Sequence, residues 1–306
     1  MRTVIFGLLI GFMVLSGSAQ DNHPVSWKLS STSTGQLTFQ INFIAAIKEP
    51  FHIYPQSFAG GIGMPTSISV ETNDNVELIG EMKEKGDDVS AGEEAAFYKK
   101  GVTFSQSIRL KADVRTTIHI RIKYMACNDQ LCLPPSSKEY TLVVNDKNPA
   151  AAESHNETRD AAANTTEKEL RYEDFVMADT RGKNISTKEI TASHAYTFID
   201  FWASWCGPCR SQARALVPLY RKYSTQGLAV IGVSLDTDVR SWKKAIVDDG
   251  YSWTNLSDLK GFDSPVSRKY GITAIPRNLI VDNKGGIVAV DLHGKELEAK
   301  LAELFK

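Results

Sequence analysis

Residues 145–169, NDKNPAAAESHNETRDAAANTTEKE, hold almost no large apolar side chain. Such a stretch cannot bury enough surface to offset the entropy of ordering it. It divides the 306-residue chain, so each side must build its own core. The expected organisation is a signal peptide over 1–19, a first domain over 20–145, a flexible linker over 146–169 and a second domain over 170–306. A hydrophobic content of 42% is enough for two cores. The formal net charge of −1 leaves no basic surplus to hold nucleic acid, and none is expected as a partner.

The N-terminus has export features. Arg2 precedes the apolar run Val4–Leu15, and Gly17, Ser18 and Ala19 supply a small-residue cleavage site. The run is short for a membrane span. The mature chain is expected to be soluble and periplasmic. In an oxidising compartment cysteines persist as disulfides or as managed redox centres. The four cysteines fall into two local pairs, Cys127 with Cys132 and Cys206 with Cys209, with none left over.

Before the divide the pattern is β. Leu37, Phe39, Ile41 and Phe43 alternate with polar residues. Ile118, Ile120, Ile122 and Tyr124 do the same against His119, Arg121 and Lys123, and so do Tyr140, Leu142 and Val144. Period two means strands with one wet face, and several in a row predict an antiparallel sandwich. His52 and His119 are expected on strand faces. After the divide the pattern is mixed α/β. Thr197–Ala203 and Leu228–Leu235 read as buried strands. Cys209, Ala213, Leu216, Val217 and Tyr220 keep helical spacing between them. A further helix carries Trp242, Ala245 and Ile246, with Asp236 or Thr237 as its cap. RNLIVD, NKGG and IVAVDL predict a hairpin, and Leu297, Leu301 and Leu304 a closing amphipathic helix.

TFIDFWASWCGPCR places C-x-x-C at the start of a helix that follows a buried strand. A helix N-terminus carries partial positive charge and free N–H groups, which stabilise a thiolate, the form that attacks a disulfide. Cys206, nearest the terminus and expected to be exposed, is the candidate nucleophile. Cys209, one turn in, is placed to resolve the mixed disulfide. Pro208 suits the first helical turn, where no backbone donor is needed. A zinc site is the competing use of C-x-x-C, but the other pair has C-x₄-C spacing. No metal and no organic cofactor is expected.

Leu170 to Lys306 resembles the thioredoxin family through FWASWCGPC, and its TlpA/ResA-like branch through the long segment between VIGVSLD and GITAIP. The resemblance implies an α/β thioredoxin fold and thiol-disulfide oxidoreductase activity. It also implies that Asp200 is a buried carboxylate taking a proton from Cys209. Pro276 matches the family's cis-proline, and backbone groups at Ile275 would pair with the substrate. Trp205, Gly207 and Pro208 would face that substrate.

The Cys127–Cys132 pair follows a strand and precedes LPP. A bridge over so short a loop removes little unfolded-state entropy, which tilts against a purely structural role. Trp27 to Val144 resembles the N-terminal periplasmic domain of DsbD, through FHIYPQ, AFYKKGVTF and the Cys…Cys–x-P-P segment. That likeness implies an immunoglobulin-like sandwich whose cysteine pair receives electrons from a thioredoxin-like domain. Phe97 and Tyr98 would form the cap loop shielding the pair; the glycine usual after them is Lys99 here.

Together these features lead us to expect an exported reductase acting on disulfide-bearing proteins. Cytochrome apoproteins, general oxidised proteins and a sister enzyme are the candidate clients. A membrane thiol reductase would supply its electrons, and the two domains would exchange electrons with each other, within one chain or between copies. A linker of about 25 residues reaches roughly 25–30 Å, enough for them to meet. An oxidase or isomerase on the same site, and a partner-binding sandwich with a structural disulfide, are the alternatives.

Overall fold

The computed structural model of the chain describes residues 23–57, 62–86, 89–91, 96–145 and 172–306. The signal peptide and the linker expected from sequence lie outside them. No helix among the described residues is long and apolar enough to cross a membrane.

Among its described residues the regular elements of the N-terminal domain are strands: β1 (Val25–Gly35), β2 (Thr38–Ile47), β3 (Ser67–Glu71), β4 (Val76–Gly86), β5 (Val89–Ala91), β6 (Ala96–Tyr98), β7 (Gly101–Leu110), β8 (Thr116–Tyr124) and β9 (Ser136–Val144). One antiparallel sheet has the order β1-β2-β7-β4, a second β3-β8-β9, and β5 pairs with β6. The period-two reading holds: on β8 the isoleucines and Tyr124 are buried while His119, Arg121 and Lys123 are exposed. Ile41, Phe43, Phe104 and Ile108 from the first sheet share one hydrophobic cluster with Ile118, Ile120, Ile122 and Tyr124 from the second. Leu37 departs from its expected place on β2. It stands before the strand at φ 57°, in the turn from β1, and packs against the core from there.

The C-terminal domain runs β10 (Val176–Ala178), β11 (Asn184–Ser186), α1 (Thr187–Ser193), β12 (Tyr196–Trp202), α2 (Gly207–Tyr223), β13 (Leu228–Ser234), α3 (Val239–Asp249), β14 (Thr254–Leu256), α4 (Pro265–Lys269), β15 (Arg277–Asp282), β16 (Ile287–Val290) and α5 (Gly294–Leu304). Its main sheet has the order β14-β13-β12-β15-β16. β12 lies parallel to β13 and antiparallel to β15. Central β12 and β13 are buried almost throughout, as continuous apolar runs require.

Two local expectations need correction. Asp238, not Asp236 or Thr237, caps α3, accepting from Ser241 N at 2.8 Å. Asp236 is buried instead and holds the loop before Cys206. Its carboxylate accepts from Ser204 N at 2.9 Å, Ser204 Oγ at 2.6 Å and Ser234 Oγ at 2.7 Å. His52 sits on no regular strand face; it is buried beside the first cysteine pair.

Candidate active site: two disulfides across a domain interface

The C-x₄-C spacing has a simple cause. Asn128 N donates to Leu131 O at 2.8 Å, and Leu133 N to Ala126 O at 2.9 Å. Asn128 Oδ1 accepts from the N–H groups of Gln130 and Leu131, which tightens the turn. Residues 126–133 are thus a small hairpin, and Cys127 and Cys132 are opposed across it and joined by a disulfide. Cys127 pairs outward with His52, in both directions, at 2.8 and 3.1 Å.

The outer edge of Cys132 would be left with an unpaired N–H and C=O, the kind of edge that accepts another strand. Ile275 of the C-terminal domain fills it. Cys132 N donates to Ile275 O at 2.8 Å, and Ile275 N donates to Cys132 O at 3.1 Å. His52, Cys127, Cys132 and Ile275 therefore form one antiparallel ladder crossing from domain to domain. Opposed residues of antiparallel pairs share a face, so the two cysteines lie on the same side as Ile275. The Ile275–Pro276 bond is cis, as the thioredoxin resemblance implied.

Cys206 converges on the same carbonyl. Its sulfur lies 3.9 Å from Ile275 O, and it is closed in a disulfide with Cys209. Cys206 is the N-cap of α2, and its sulfur accepts from Cys209 N at 3.2 Å. Pro208 stands in the first helical turn, as expected. The expected exposure of Cys206 is not found. All four cysteines are fully buried, in one cluster with Tyr54, Met125 and Trp202, because each domain covers the other's disulfide. A cleft of about 820 Å³ opens beside them, lined from one domain by His52, Phe97 and Asp129 and from the other by Pro208, Pro276 and His293.

Asp200 lies on β12, buried with only a 3.3 Å hydrogen bond from Gln212 Nε2 among its described contacts. Burial pushes its carboxyl up to about 7, because the charged form loses its water. Gln212 also contacts His293 Nδ1, which connects Asp200 to the cleft. Arg210, one residue after Cys209, makes a two-point ion pair with buried Asp249 at 2.5 and 2.9 Å and reaches Ser204 O at 3.4 Å. With Asp236, this fixes the loop leading into Cys206.

The two cap residues separate. Phe97 packs against the cluster that contains both disulfides and stacks on His52, with ring centroids 4.2 Å apart. Lys99 sits over the Phe97 ring, its ammonium 5.4 Å from the ring centroid, a cation–π contact that a glycine could not make. Tyr98, next along β6, points into the core of its own domain instead, as strand alternation requires. Burial pushes the His52 imidazole down to about 4, against the pull of Asp129, so it is neutral at neutral pH. Trp205 is half-buried beside Phe262. Sequence reading did not pick out His52, Asp236, Gln212, His293 or Arg210 for this site; only the fold brings them together. Asn255, which heads a sequon, is buried on β14 and closed to glycosylation in the folded chain.

Comparison with known proteins finds matches for both halves of the chain. Residues 170–290 match the AhpC/TSA family, and residues 21–144 match the N-terminal region of the thiol:disulfide interchange protein DsbD. The thiol-disulfide oxidoreductase ResA of Bacillus thuringiensis subsp. konkukian is 25% identical over 132 residues, 43% of this chain and 73% of that protein. The thioredoxin-like protein YneN of Bacillus subtilis is 32% identical over 136 residues, 42% of this chain and 75% of that protein. A solved thiol-disulfide oxidoreductase from Bacteroides fragilis is 33% identical, covering 44% of this chain and 98% of that one, with a TM-score of 0.41. The chain belongs to the thioredoxin-like thiol-disulfide oxidoreductases, is similar to their ResA members, and carries ahead of that domain a region that matches the DsbD N-terminal family.

Proposed function

We propose that this chain is an exported disulfide reductase with an internal relay, in which Cys206 and Cys209 pass electrons to Cys127 and Cys132. The observation that carries this reading is the two-way pairing of Cys132 with Ile275 beside the Cys206 sulfur. Strand addition at a sheet edge is a common way to hold an extended substrate, and here it presents one particular sulfur.

The relay has two exchanges. The Cys206 thiolate attacks Cys132 Sγ, a Cys206–Cys132 bond forms, and Cys127 leaves as thiolate. Cys209 then attacks Cys206 Sγ, Cys132 leaves as thiolate, and the C-terminal pair is oxidised as the N-terminal pair is reduced. Asp200, poised near neutral pH, takes the proton from Cys209. Pro276, Gly207, Pro208 and Trp205 shape the docking surface. The division into 20–145 and 170–306, the immunoglobulin-like packing of the two N-terminal sheets and the periplasmic location belong to this same reading. W-C-G-P-C resembles reducing thioredoxins near about −270 mV, so a membrane thiol reductase upstream and disulfide-bearing proteins downstream complete it.

The test follows thiol labelling by mass spectrometry. Reduced full chain lacking Cys127 and Cys132 is mixed with oxidised full chain lacking Cys206 and Cys209. Appearance of labelled Cys127 and Cys132 within minutes is expected; none over hours, together with no Cys132–Cys206 disulfide trapped within a single chain lacking Cys127 and Cys209, would return that pair to a structural role.

Phe97 is expected to gate the N-terminal pair. Phe97→Ala, which leaves His52 and Lys99 without their shared ring, should speed reduction of Cys127–Cys132 by small thiols severalfold in timed alkylation. An unchanged rate would make Phe97 a packing residue only.

A further inference from the structure

The ladder at Ile275 uses backbone atoms alone, so it accepts any extended segment and selects none. A second contact reaches the Cys206 loop from a different part of the N-terminal domain. Gly63 N donates to Trp205 O at 2.7 Å. Buried Ile62 lies against Gly207, its Cγ2 3.0 Å from where a β-carbon on that glycine would stand. The residues on both sides of Cys206 are thus held, one by a hydrogen bond and one by packing.

This segment has a demanding shape. Gly63 has φ +99°, a conformation side chains rarely adopt, and an added β-carbon would meet the Tyr54 ring at 2.3 Å. Tyr54 is in turn fixed from both ends. Its carbonyl accepts from Thr66 Oγ1 at 2.6 Å, and its hydroxyl lies 3.2 Å from His52 Nε2. Ile62 and Gly63 are therefore presented by the same framework that holds Cys127.

We propose that Ile62 and Gly63 are the specificity contact of the relay. They make the Cys206 site prefer its own N-terminal domain over unrelated disulfide proteins. The inference rests on the internal exchange proposed above. A branched side chain followed by a left-handed glycine, at a fixed distance from a disulfide edge, is a feature an arbitrary oxidised protein lacks. Gly207 is the matching feature on the other domain: its missing side chain is the space Ile62 occupies.

The experiment uses full chains in pairs. The donor lacks Cys127 and Cys132 and is reduced; the acceptor lacks Cys206 and Cys209 and is oxidised. Transfer is timed by quenched mass-tag labelling. The same donor's reduction of insulin serves as the reference rate. Ile62→Ala in the acceptor is expected to slow transfer about tenfold, close to 1.4 kcal/mol. Gly63→Ala should slow it further. Gly207→Ala in the donor should slow transfer to the unmodified acceptor more than it slows insulin reduction. Pairing that donor with the Ile62→Ala acceptor should remove the excess, since the bump then meets a hole. This recovery separates docking from misfolding, because a merely damaged acceptor would not favour the Gly207→Ala donor. Transfer in the unmodified pair with no effect of Ile62→Ala and no recovery would overturn the inference alone. Absence of transfer in the unmodified pair, together with no Cys132–Cys206 link within a single chain lacking Cys127 and Cys209, would overturn the relay itself.

Discussion

Cys206→Ala is expected to reduce disulfide reduction to the uncatalysed background, and Cys209→Ala to convert turnover into stable mixed disulfides. The two cysteines differ in position. Cys206 caps α2, where its sulfur accepts the Cys209 N–H at 3.2 Å and meets the positive end of the helix. Both contacts favour a thiolate at Cys206 once the pair is reduced. Cys209 is one turn inside, placed to attack the bond that Cys206 is expected to make. Without Cys206 no bond to substrate forms; without Cys209 the bond forms and stays. Insulin reduction measures the first loss, and mass spectrometry under non-reducing conditions detects the second. Equal alkylation rates of the two thiols in the reduced chain at neutral pH would contradict the assignment.

Asp200→Asn should stabilise the C-terminal domain at high pH while slowing resolution. The folded carboxyl titrates near 7, against about 3.9 in the unfolded chain. Between those values the folded state holds a proton that the unfolded state has lost. Stability therefore falls as pH rises from about 4 to about 7, then levels off. Asparagine carries no such penalty. At about 1.4 kcal/mol per pH unit, the variant gains up to about 4 kcal/mol above pH 7 and nothing below pH 4. Catalysis moves the other way. A base that must be charged to accept the Cys209 proton gives a resolution rate rising through pH 7, and the variant should lose that rise. Denaturant unfolding followed by tryptophan fluorescence at pH 4 and pH 8.5 checks the first part, and rapid-quench kinetics the second. Equal stability of the two proteins at both pH values would mean that Asp200 is not buried as a proton carrier.

Much of this was legible in the sequence because it depends on local pattern. The alternation on β8, the continuous burial of β12 and β13, and the strand–C-x-x-C–helix order are each written within a dozen residues. Asp200 and Pro276 came from motif position. What was not legible depends on pairs distant in sequence. Cys206 was expected to be exposed because a lone thioredoxin-like domain would expose it, and the N-terminal domain covers it here. Tyr98 was grouped with Phe97, yet one step along β6 turns it to the opposite face. His52 looked like an ordinary strand residue until the ladder placed it opposite Cys127. Asp236 reads as a cap in one dimension and is a buried anchor for Ser204 in three. Ile62 and Gly63 carry no motif at all.

The account turns on one sulfur. Cys132, not Cys127, is paired to Ile275, whose carbonyl lies 3.9 Å from the Cys206 sulfur. The full chain carrying Cys127→Ala and Cys209→Ala retains only Cys132 and Cys206, and its partner carrying Cys132→Ala and Cys209→Ala retains only Cys127 and Cys206. Both are reduced, then oxidised mildly at low protein concentration and digested for mass spectrometry of linked peptides. The account predicts rapid formation of a Cys132–Cys206 disulfide within single chains of the first, and a far slower Cys127–Cys206 link in the second. No Cys132–Cys206 link in the first, or equal rates in both, would contradict it.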